Sequence, residues 1–203
     1  MFILHKTPTI IEHPWKMGVI EDALPAHVAE YLSDNFLSDE FEHQPQYNAY
    51  QKVGAANYSD PVFKEFFDTQ WNSRSAINAY INKVFGTDHT DSELDQISFN
   101  LHKPADPSTV ARDWHTDIPG KKFQMLLYLG NTTDTVTYEM TDNPEEGSKR
   151  SFTFQHNRLV FWQNLPHTYH KFYFTPVQRK TIVMTIHYKD KSNGYKGIPE
   201  TLL

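Results

Sequence analysis

The stretch Thr181-Ile182-Val183-Met184-Thr185-Ile186 decides the fold class, because its β-branched and apolar residues are typical of a strand at the centre of a sheet. It belongs to a predicted strand over residues 180–188, and six similar runs precede it. These runs are Leu94–His102, Phe123–Leu129, Thr135–Met140, Ser151–Gln155, Arg158–Trp162 and Tyr169–Phe174. Short strands separated by turn-forming clusters predict a β-sandwich, a barrel or a jelly roll.

The N-terminal half of the chain carries the signals of helices. Residues 26–36 have an apolar face with helical spacing and follow a proline. Asp60 and Pro61 have the sequence of a second helix start, with an acidic N-cap and proline at the first helical position. We expect this helix to break near Asn72-Ser73, to resume, and to end at Gly86.

The remaining segments predict arms and loops. Apolar runs at 2–11 and 16–20 are short and interrupted by proline, which favours strands or extended arms. Residues 40–58 show no periodicity and are expected to form a long loop, as is 103–113. Substrate selection is expected to come from these two loops and the first helix.

The length of 203 residues predicts one domain with ample chain for a single core. The helix signals followed by strand signals predict the α+β class. Within it we expect N-terminal helices and arms at 1–92, a β-rich core at 93–188 and a polar tail at 189–203. No internal repeat is visible, and no feature of the sequence indicates an oligomeric state.

Composition excludes several classes of function. The chain has no cysteine, so disulfides, thiolate metal sites and cysteine nucleophiles are ruled out, and a cytoplasmic protein fits. The net charge of -6 argues against a general electrostatic grip on nucleic acid. The apolar run at the N-terminus is too short for a signal peptide, and no stretch approaches membrane-spanning length, so no membrane association is expected.

The triplet His115-Thr116-Asp117 is the first candidate functional site. Residues i and i+2 of a strand project from the same face, so His115 and Asp117 would offer a nitrogen and an oxygen in one direction. Alone the triplet is a common coincidence, and a surface turn is the simpler interpretation. His170 and Arg179, further along the chain, add a third metal-binding side chain and a group that binds carboxylates.

The order of these motifs over residues 94–188 resembles that of the 2-oxoglutarate- and Fe(II)-dependent oxygenases, in particular their prolyl-4-hydroxylase-like branch. Members of that branch have His-x-Asp, then Lys, a strand ending in Leu-Tyr-Leu-Asn, a strand with Arg-Leu-Val-Phe-Phe, then His, Pro-Val and Arg-x-Ser/Thr. This chain has, in the same order, His115-Thr116-Asp117, Leu127-Tyr128-Leu129-Gly130, Arg158-Leu159-Val160-Phe161, His170, Pro176-Val177 and Arg179-Lys180-Thr181. Gly130 departs from the commoner asparagine. The resemblance implies a double-stranded β-helix core, of jelly-roll or cupin-like form, supported by the N-terminal helices.

The resemblance also implies a role for individual residues. His115, Asp117 and His170 would be the catalytic Fe(II) ligands. Arg179 would pair with the distal carboxylate of 2-oxoglutarate, and Thr181, on the same strand face, could add a hydroxyl to that carboxylate.

Three further residues are expected to contact the cosubstrate. Tyr128 matches a position where the family often supplies a phenol. Gln124 and Leu126 share its face by the period of two, and Gln124 is included among the binding residues. Asn100, on the strand that enters the site, could hydrogen-bond the cosubstrate.

Other polar residues are assigned structural positions. His167 is expected in a loop, and His102 and His187 are expected to be structural histidines. Lys180 should lie on the outer face in solvent, and Arg158 should tie a turn between strands. Trp114 and Trp162 are expected in the core or the pocket wall.

The activity implied by the resemblance is an oxygenase that uses Fe(II), O₂ and 2-oxoglutarate, with decarboxylation of 2-oxoglutarate to succinate. The default reaction is hydroxylation of an amino-acid side chain, free or in a peptide, with prolyl substrates included. Two alternatives remain: a non-enzymatic jelly-roll binding module, and a cupin-like metal-dependent enzyme that does not use 2-oxoglutarate.

Overall fold

The computed structural model describes residues 6–36, 42–44, 49–53 and 59–190. Its helices are α1 (Ala26–Asp34), α2 (Pro61–Asn72) and α3 (Arg74–Phe85). Its strands are β1 (Thr9–Ile11), β2 (Met17–Ile20), β3 (Glu42–Gln44), β4 (Ala49–Val53), β5 (Ser92–His102), β6 (Val110–His115), β7 (Lys121–Leu129), β8 (Val136–Thr141), β9 (Arg150–Thr153), β10 (Leu159–Gln163), β11 (Tyr169–Tyr173) and β12 (Arg179–Tyr188).

The strands form two antiparallel sheets. The major sheet has the order β1-β2-β10-β7-β12-β5-β4-β3, and the minor sheet has the order β6-β11-β8-β9. Strand β12 lies in the middle of the major sheet, paired with β5 on one side and β7 on the other. The central-strand prediction for 180–188 is confirmed. The non-sequential strand orders are those of a jelly roll, so the predicted fold class is confirmed as well.

The residues predicted to begin, break and end the second helix do so in the structure. The Asp60 carboxylate accepts hydrogen bonds from the backbone N–H groups of Val62 and Phe63, which caps α2 at its start. Helices α2 and α3 meet at Ser73, where the break was predicted. Helix α3 ends at Gly86, whose φ of 70° lies in the left-handed region that glycine adopts without strain.

The outer face of the major sheet packs against the three helices. From β12 it presents Ile182, Met184 and Ile186, and from β5 it presents Phe99. These side chains form one apolar cluster with residues of α1, α2 and α3, and none of the four is measurably exposed. Burial of this cluster is the main hydrophobic contribution to the stability of the fold.

The inner face of the major sheet faces the minor sheet and has two parts. One part is a second apolar cluster that includes Trp15, Tyr128, Phe154 and Trp162. The other part carries the polar side chains of the cavity described below.

Strand β2 approaches β10 closely at Gly18, where a Cβ atom would lie 2.2 Å from the ring of Phe161.

Three predictions about the fold are wrong. Residues 40–58 contain β3 and β4, which extend the major sheet beyond β5, in place of a continuous loop. Strand β6 begins at Val110, inside the predicted 103–113 loop. Lys180 is half-buried, and its ammonium donates a hydrogen bond to the carbonyl of Ser33 in the last turn of α1, because the helices cover the face where solvent was expected.

Other predictions fall partly outside the described residues. Strands β1 and β2 confirm the predicted arms at 9–11 and 17–20, while residues 2–5 and most of the tail at 189–203 lie outside. The three helices have 9, 12 and 12 residues, and none in the described part of the chain is long and apolar enough to cross a membrane.

Candidate metal and carboxylate site

A cavity of about 200 Å³ opens between the two sheets. Its walls come from β5, β7, β10 and β12 of the major sheet and from β6, β8 and β11 of the minor sheet. The predicted site residues that line it are His115, Asp117, His170, Arg179, Thr181, Gln124 and Asn100. The fold therefore gathers side chains that are up to 81 positions apart in the sequence around one space.

The two histidines are brought together by strand register. His115 of β6 and His170 of β11 are direct cross-strand partners, and their ring centroids are 4.3 Å apart. Asp117 follows β6 by two residues and places its Oδ2 4.0 Å from Nε2 of His170. All three side chains line the cavity, and Asp117 and His170 are buried.

The protonation states of these three groups suit a divalent cation. Burial lowers the pKa of His115 to about 4, and the neighbouring His170 adds to that effect. Burial also lowers the pKa of His170, against the charge of Asp117. For Asp117, burial acts to raise the pKa, but His170 and Lys121 outweigh it and the pKa is lowered. Near neutral pH the imidazoles are neutral and the carboxylate is ionised, which is the form that binds metals.

The three candidate ligands would need a small shift to coordinate a metal ion. Within residues 6–36, 42–44, 49–53 and 59–190, no three His, Asp or Glu side chains already form a group that could hold a metal. Two ligands at right angles around an ion, each at about 2.1 Å, would be about 3 Å apart. The 4.0 Å between Asp117 Oδ2 and His170 Nε2 would therefore have to shorten by about 1 Å. The donor set of two imidazoles and one carboxylate fits Fe(II) with open positions.

Arg179 provides the second half of the site. It is 3% exposed, and its guanidinium carbon lies 5.7 Å from the ring centroid of Tyr138 and 5.2 Å from that of Phe172. Its Nε and Nη1 atoms are buried without a hydrogen-bond partner, and among the described side chains no carboxylate forms an ion pair with it. A buried charge without an anion is costly, so this arginine fits a carboxylate ligand.

The cavity-facing residues of the major sheet form rows across β5, β12 and β7. Thr181 pairs with Asn100 in the row next to Arg179. Thr185 pairs with Gln124 and Gln96 two rows beyond Thr181, and its hydroxyl donates a 3.1 Å hydrogen bond to Gln124 Oε1. Six residues of β12 span about 20 Å, so Gln124 is far from the guanidinium of Arg179. The positions of Thr181 and Asn100 suit the distal carboxylate, whereas that of Gln124 does not.

The position of Tyr128 does not support its predicted contact with the cosubstrate. Its ring is buried in the second apolar cluster, 5.1 Å from Phe154 and 6.4 Å from Tyr138, and it is not part of the cavity wall. The cause is the aromatic packing between the sheets at the end of β7. Tyr138 of β8 lines the cavity beside Arg179 instead, and burial raises the pKa of its phenol.

Sequence reasoning missed several cavity residues. Tyr138, Phe172, Arg112 and Lys121 line the cavity, and so does His102, which was predicted to be structural. A period-two signal from His170 to Phe172 could have indicated Phe172. Tyr138 and Arg112 depend on how the minor sheet lies over the major one, and no local pattern reports that arrangement.

Other assignments agree with the structure. Arg158 forms a bidentate ion pair with Glu21, which ties the turn before β10 to the one after β2. His187 hydrogen-bonds Asp95, in keeping with a structural role. Trp162 lies in the cavity wall with its ring 5.4 Å from that of His170. His167 lies in the turn between β10 and β11 and is not part of the wall.

The fold is similar to the folds of solved oxygenases. A prolyl-4-hydroxylase from Pseudomonas putida aligns with a TM-score of 0.62 at 13% identity, covering 85% of this chain and 92% of its own. An oxidoreductase of the 2OG-Fe(II) oxygenase family from Burkholderia pseudomallei aligns with a TM-score of 0.57 at 15% identity, covering 88% and 85%. A prolyl hydroxylase from Trichoplax adhaerens, in complex with a peptide fragment of the hypoxia inducible factor oxygen degradation domain, aligns at 0.60 and 10%, covering 86% and 84%.

These likenesses establish the fold. The chain has the architecture of the 2OG-Fe(II) oxygenases, with prolyl hydroxylases among its structural neighbours, as the motif order predicted. At the level of sequence, no protein-family model and no curated protein matches the chain.

Proposed function

We propose that this protein is an Fe(II)- and 2-oxoglutarate-dependent dioxygenase that hydroxylates an amino-acid side chain. The observation that carries the proposal is the pairing of two features in one cavity. His115, Asp117 and His170 line one part of the cavity. The buried Arg179, with two nitrogens that lack a hydrogen-bond partner, lines another part. A plain metal site has no need of a buried arginine, whereas a cosubstrate with a distal carboxylate does.

In this proposal each residue has a binding or orienting task. His115, Asp117 and His170 would hold Fe(II), which with bound 2-oxoglutarate activates O₂ as the cosubstrate is decarboxylated to succinate and CO₂. Arg179 would bind the distal carboxylate as a planar fork, with the Thr181 hydroxyl and the Asn100 amide beside it. Tyr138 and Phe172 would help to hold the guanidinium through cation–π contacts.

The substrate part of the proposal rests on analogy of fold and motif order. One structural neighbour is a prolyl hydroxylase with a bound peptide fragment, which supports a peptide or small-molecule substrate for this chain. The cavity row formed by Gln96, Thr185 and Gln124 lies far from Arg179 and offers neutral hydrogen-bonding groups to such a substrate. The cytoplasmic location suggested by the lack of cysteine remains part of the proposal.

The decisive experiment measures succinate formed from 2-oxoglutarate under O₂ with Fe(II), against free amino acids, prolyl peptides and nucleobases. We expect turnover to be stimulated by an amino-acid or peptide substrate and to be lost in Asp117→Ala. Turnover that is unchanged in Asp117→Ala would refute the metal site.

Two other outcomes would favour the alternatives. If Mn(II) and 2-oxoglutarate together give no thermal stabilisation, the alternative of a non-enzymatic jelly-roll binding module is favoured. If the metal binds tightly but no succinate forms with any substrate, a cupin-like enzyme without 2-oxoglutarate is the better description.

A further inference from the structure

Lys121, at the start of β7, forms an ion pair with Asp117, one of the candidate metal ligands. Its Nζ donates a 3.0 Å hydrogen bond to Oδ1 of Asp117, and the two side chains are 22% and 8% exposed. The other oxygen of the same carboxylate, Oδ2, faces Nε2 of His170 at 4.0 Å. The two oxygens of Asp117 are therefore turned to different partners.

The turn between the two residues fixes this geometry. The backbone N–H of Lys121 donates to the carbonyl of Ile118. Asn164, which is fully buried, donates from Nδ2 to the carbonyls of both Ile118 and Lys121 at 2.9 and 3.1 Å. Its own N–H donates to the carbonyl of Lys122, so the turn is held at three points. Lys121 is thus set at a defined distance from Asp117.

The next residue shows that the placement of Lys121 is specific. Lys122 points to the opposite face of β7, as alternation along a strand requires. There its Nζ pairs with Asp91 Oδ1 at 2.7 Å and with the carbonyl of Asp88. The two adjacent lysines thus pair with different carboxylates. Of these two carboxylates, Asp117 lines the cavity and Asp91 does not.

We propose that Lys121 is a positioning residue that holds Oδ1 of Asp117, so that this carboxylate offers a single oxygen to the metal. A carboxylate can bind a cation through one oxygen or through both. A hydrogen bond from a neighbouring side chain orients such a ligand and tunes its metal. If both oxygens of Asp117 bound the ion, one fewer position would remain for 2-oxoglutarate and O₂. The proposal rests on the metal site proposed above.

The test uses Co(II) as a spectroscopic probe and 2-oxoglutarate as titrant, under nitrogen, with the full chain. In Lys121→Met we expect Co(II) to bind with an altered visible absorption spectrum, because Asp117 then binds through both oxygens. The Kd of 2-oxoglutarate for the Co(II) protein should rise about tenfold. Lys121→Arg, which keeps the cation and donor, should restore both the spectrum and the Kd. Lys121→Gln serves as a second loss variant if the methionine variant does not fold.

The matched control is Lys122→Met, which removes an ion-paired lysine from the opposite face of the same strand. It should reduce stability while leaving the Co(II) spectrum and the Kd of 2-oxoglutarate unchanged. An unchanged spectrum and Kd in folded Lys121→Met would overturn the proposal, and so would Lys121→Arg behaving like the methionine variant. A wild-type protein that binds no Co(II) would instead refute the proposed function itself, so the two failures are distinguishable.

Discussion

The two faces of the major sheet differ in what their side chains contribute. On β12 the outer face presents Ile182, Met184 and Ile186, packed under the helices, and the inner face presents Arg179, Thr181 and Thr185. Both sets are almost fully buried, at 4% exposure or less. The outer face stabilises the fold through apolar burial, whereas the inner face buries polar groups at a cost to stability. Because side chains alternate along β12, one face of this strand contributes to stability and the other face contributes to ligand binding.

The largest effect is expected on the outer face. Phe99→Ala removes a fully buried ring that contacts Phe36 and Phe63, with centroids 6.2 and 5.8 Å away. We expect the free energy of unfolding to fall by about 3 to 5 kcal/mol, measured by chemical denaturation. The added stabilisation by Mn(II) and 2-oxoglutarate should persist. Loss of that added stabilisation in the folded variant would show that the two faces are not independent.

The next largest effect is expected on the inner face of β12. Arg179→Met replaces a buried cation that no described carboxylate pairs with by an apolar side chain of similar length, so the stability of the ligand-free protein should be unchanged or higher. The affinity for 2-oxoglutarate should fall by about 2 to 5 kcal/mol, as is usual when one partner of a buried charge pair is removed. Calorimetric titration measures the affinity, and thermal unfolding measures the stability. A large loss of stability with unchanged affinity would place Arg179 among the structural residues.

A smaller effect is expected next to Arg179. Thr181→Val keeps the shape of the side chain and removes the hydroxyl that lines the cavity. The affinity for 2-oxoglutarate should fall by about 1 kcal/mol, the usual net value of one hydrogen bond. Thr185→Val, on the same face but far from Arg179, is the matched control and should leave that affinity almost unchanged. Equal losses in the two variants would contradict the assignment of the distal carboxylate to the Arg179 end.

An effect no larger than that of Thr181→Val is expected in the helix that covers the outer face. Asp60→Ala removes the cap of α2, whose carboxylate accepts two backbone hydrogen bonds. Stability should fall by about 1 kcal/mol in denaturant titrations, with 2-oxoglutarate turnover unchanged at a temperature where the variant is folded. Reduced turnover under those conditions would mean that α2 influences the cavity.

Much of this arrangement was predictable because it depends on local rules. The period of two places His115 with Asp117, and Arg179 with Thr181, on shared faces, and the motif order indicates their common site. Asp60, Pro61 and Gly86 mark helix ends by their own backbone and side-chain chemistry.

The parts that escaped prediction depend on contacts between distant segments. Tyr128 shares the face of Gln124, yet packing against Phe154 places it outside the cavity wall. Tyr138 enters the wall from the other sheet, and Lys180 is covered by the end of α1. None of these positions follows from spacing along one strand, because each depends on which element lies above it.

The most direct test is a titration of 2-oxoglutarate into the wild-type protein with and without Mn(II), under nitrogen. If the triad of His115, Asp117 and His170 and the buried Arg179 form one two-part site, Mn(II) should tighten 2-oxoglutarate binding by at least about tenfold. The same gain should be absent in Asp117→Ala. Binding that is equally tight without the metal, or no binding in either case, would contradict a joint site for metal and cosubstrate.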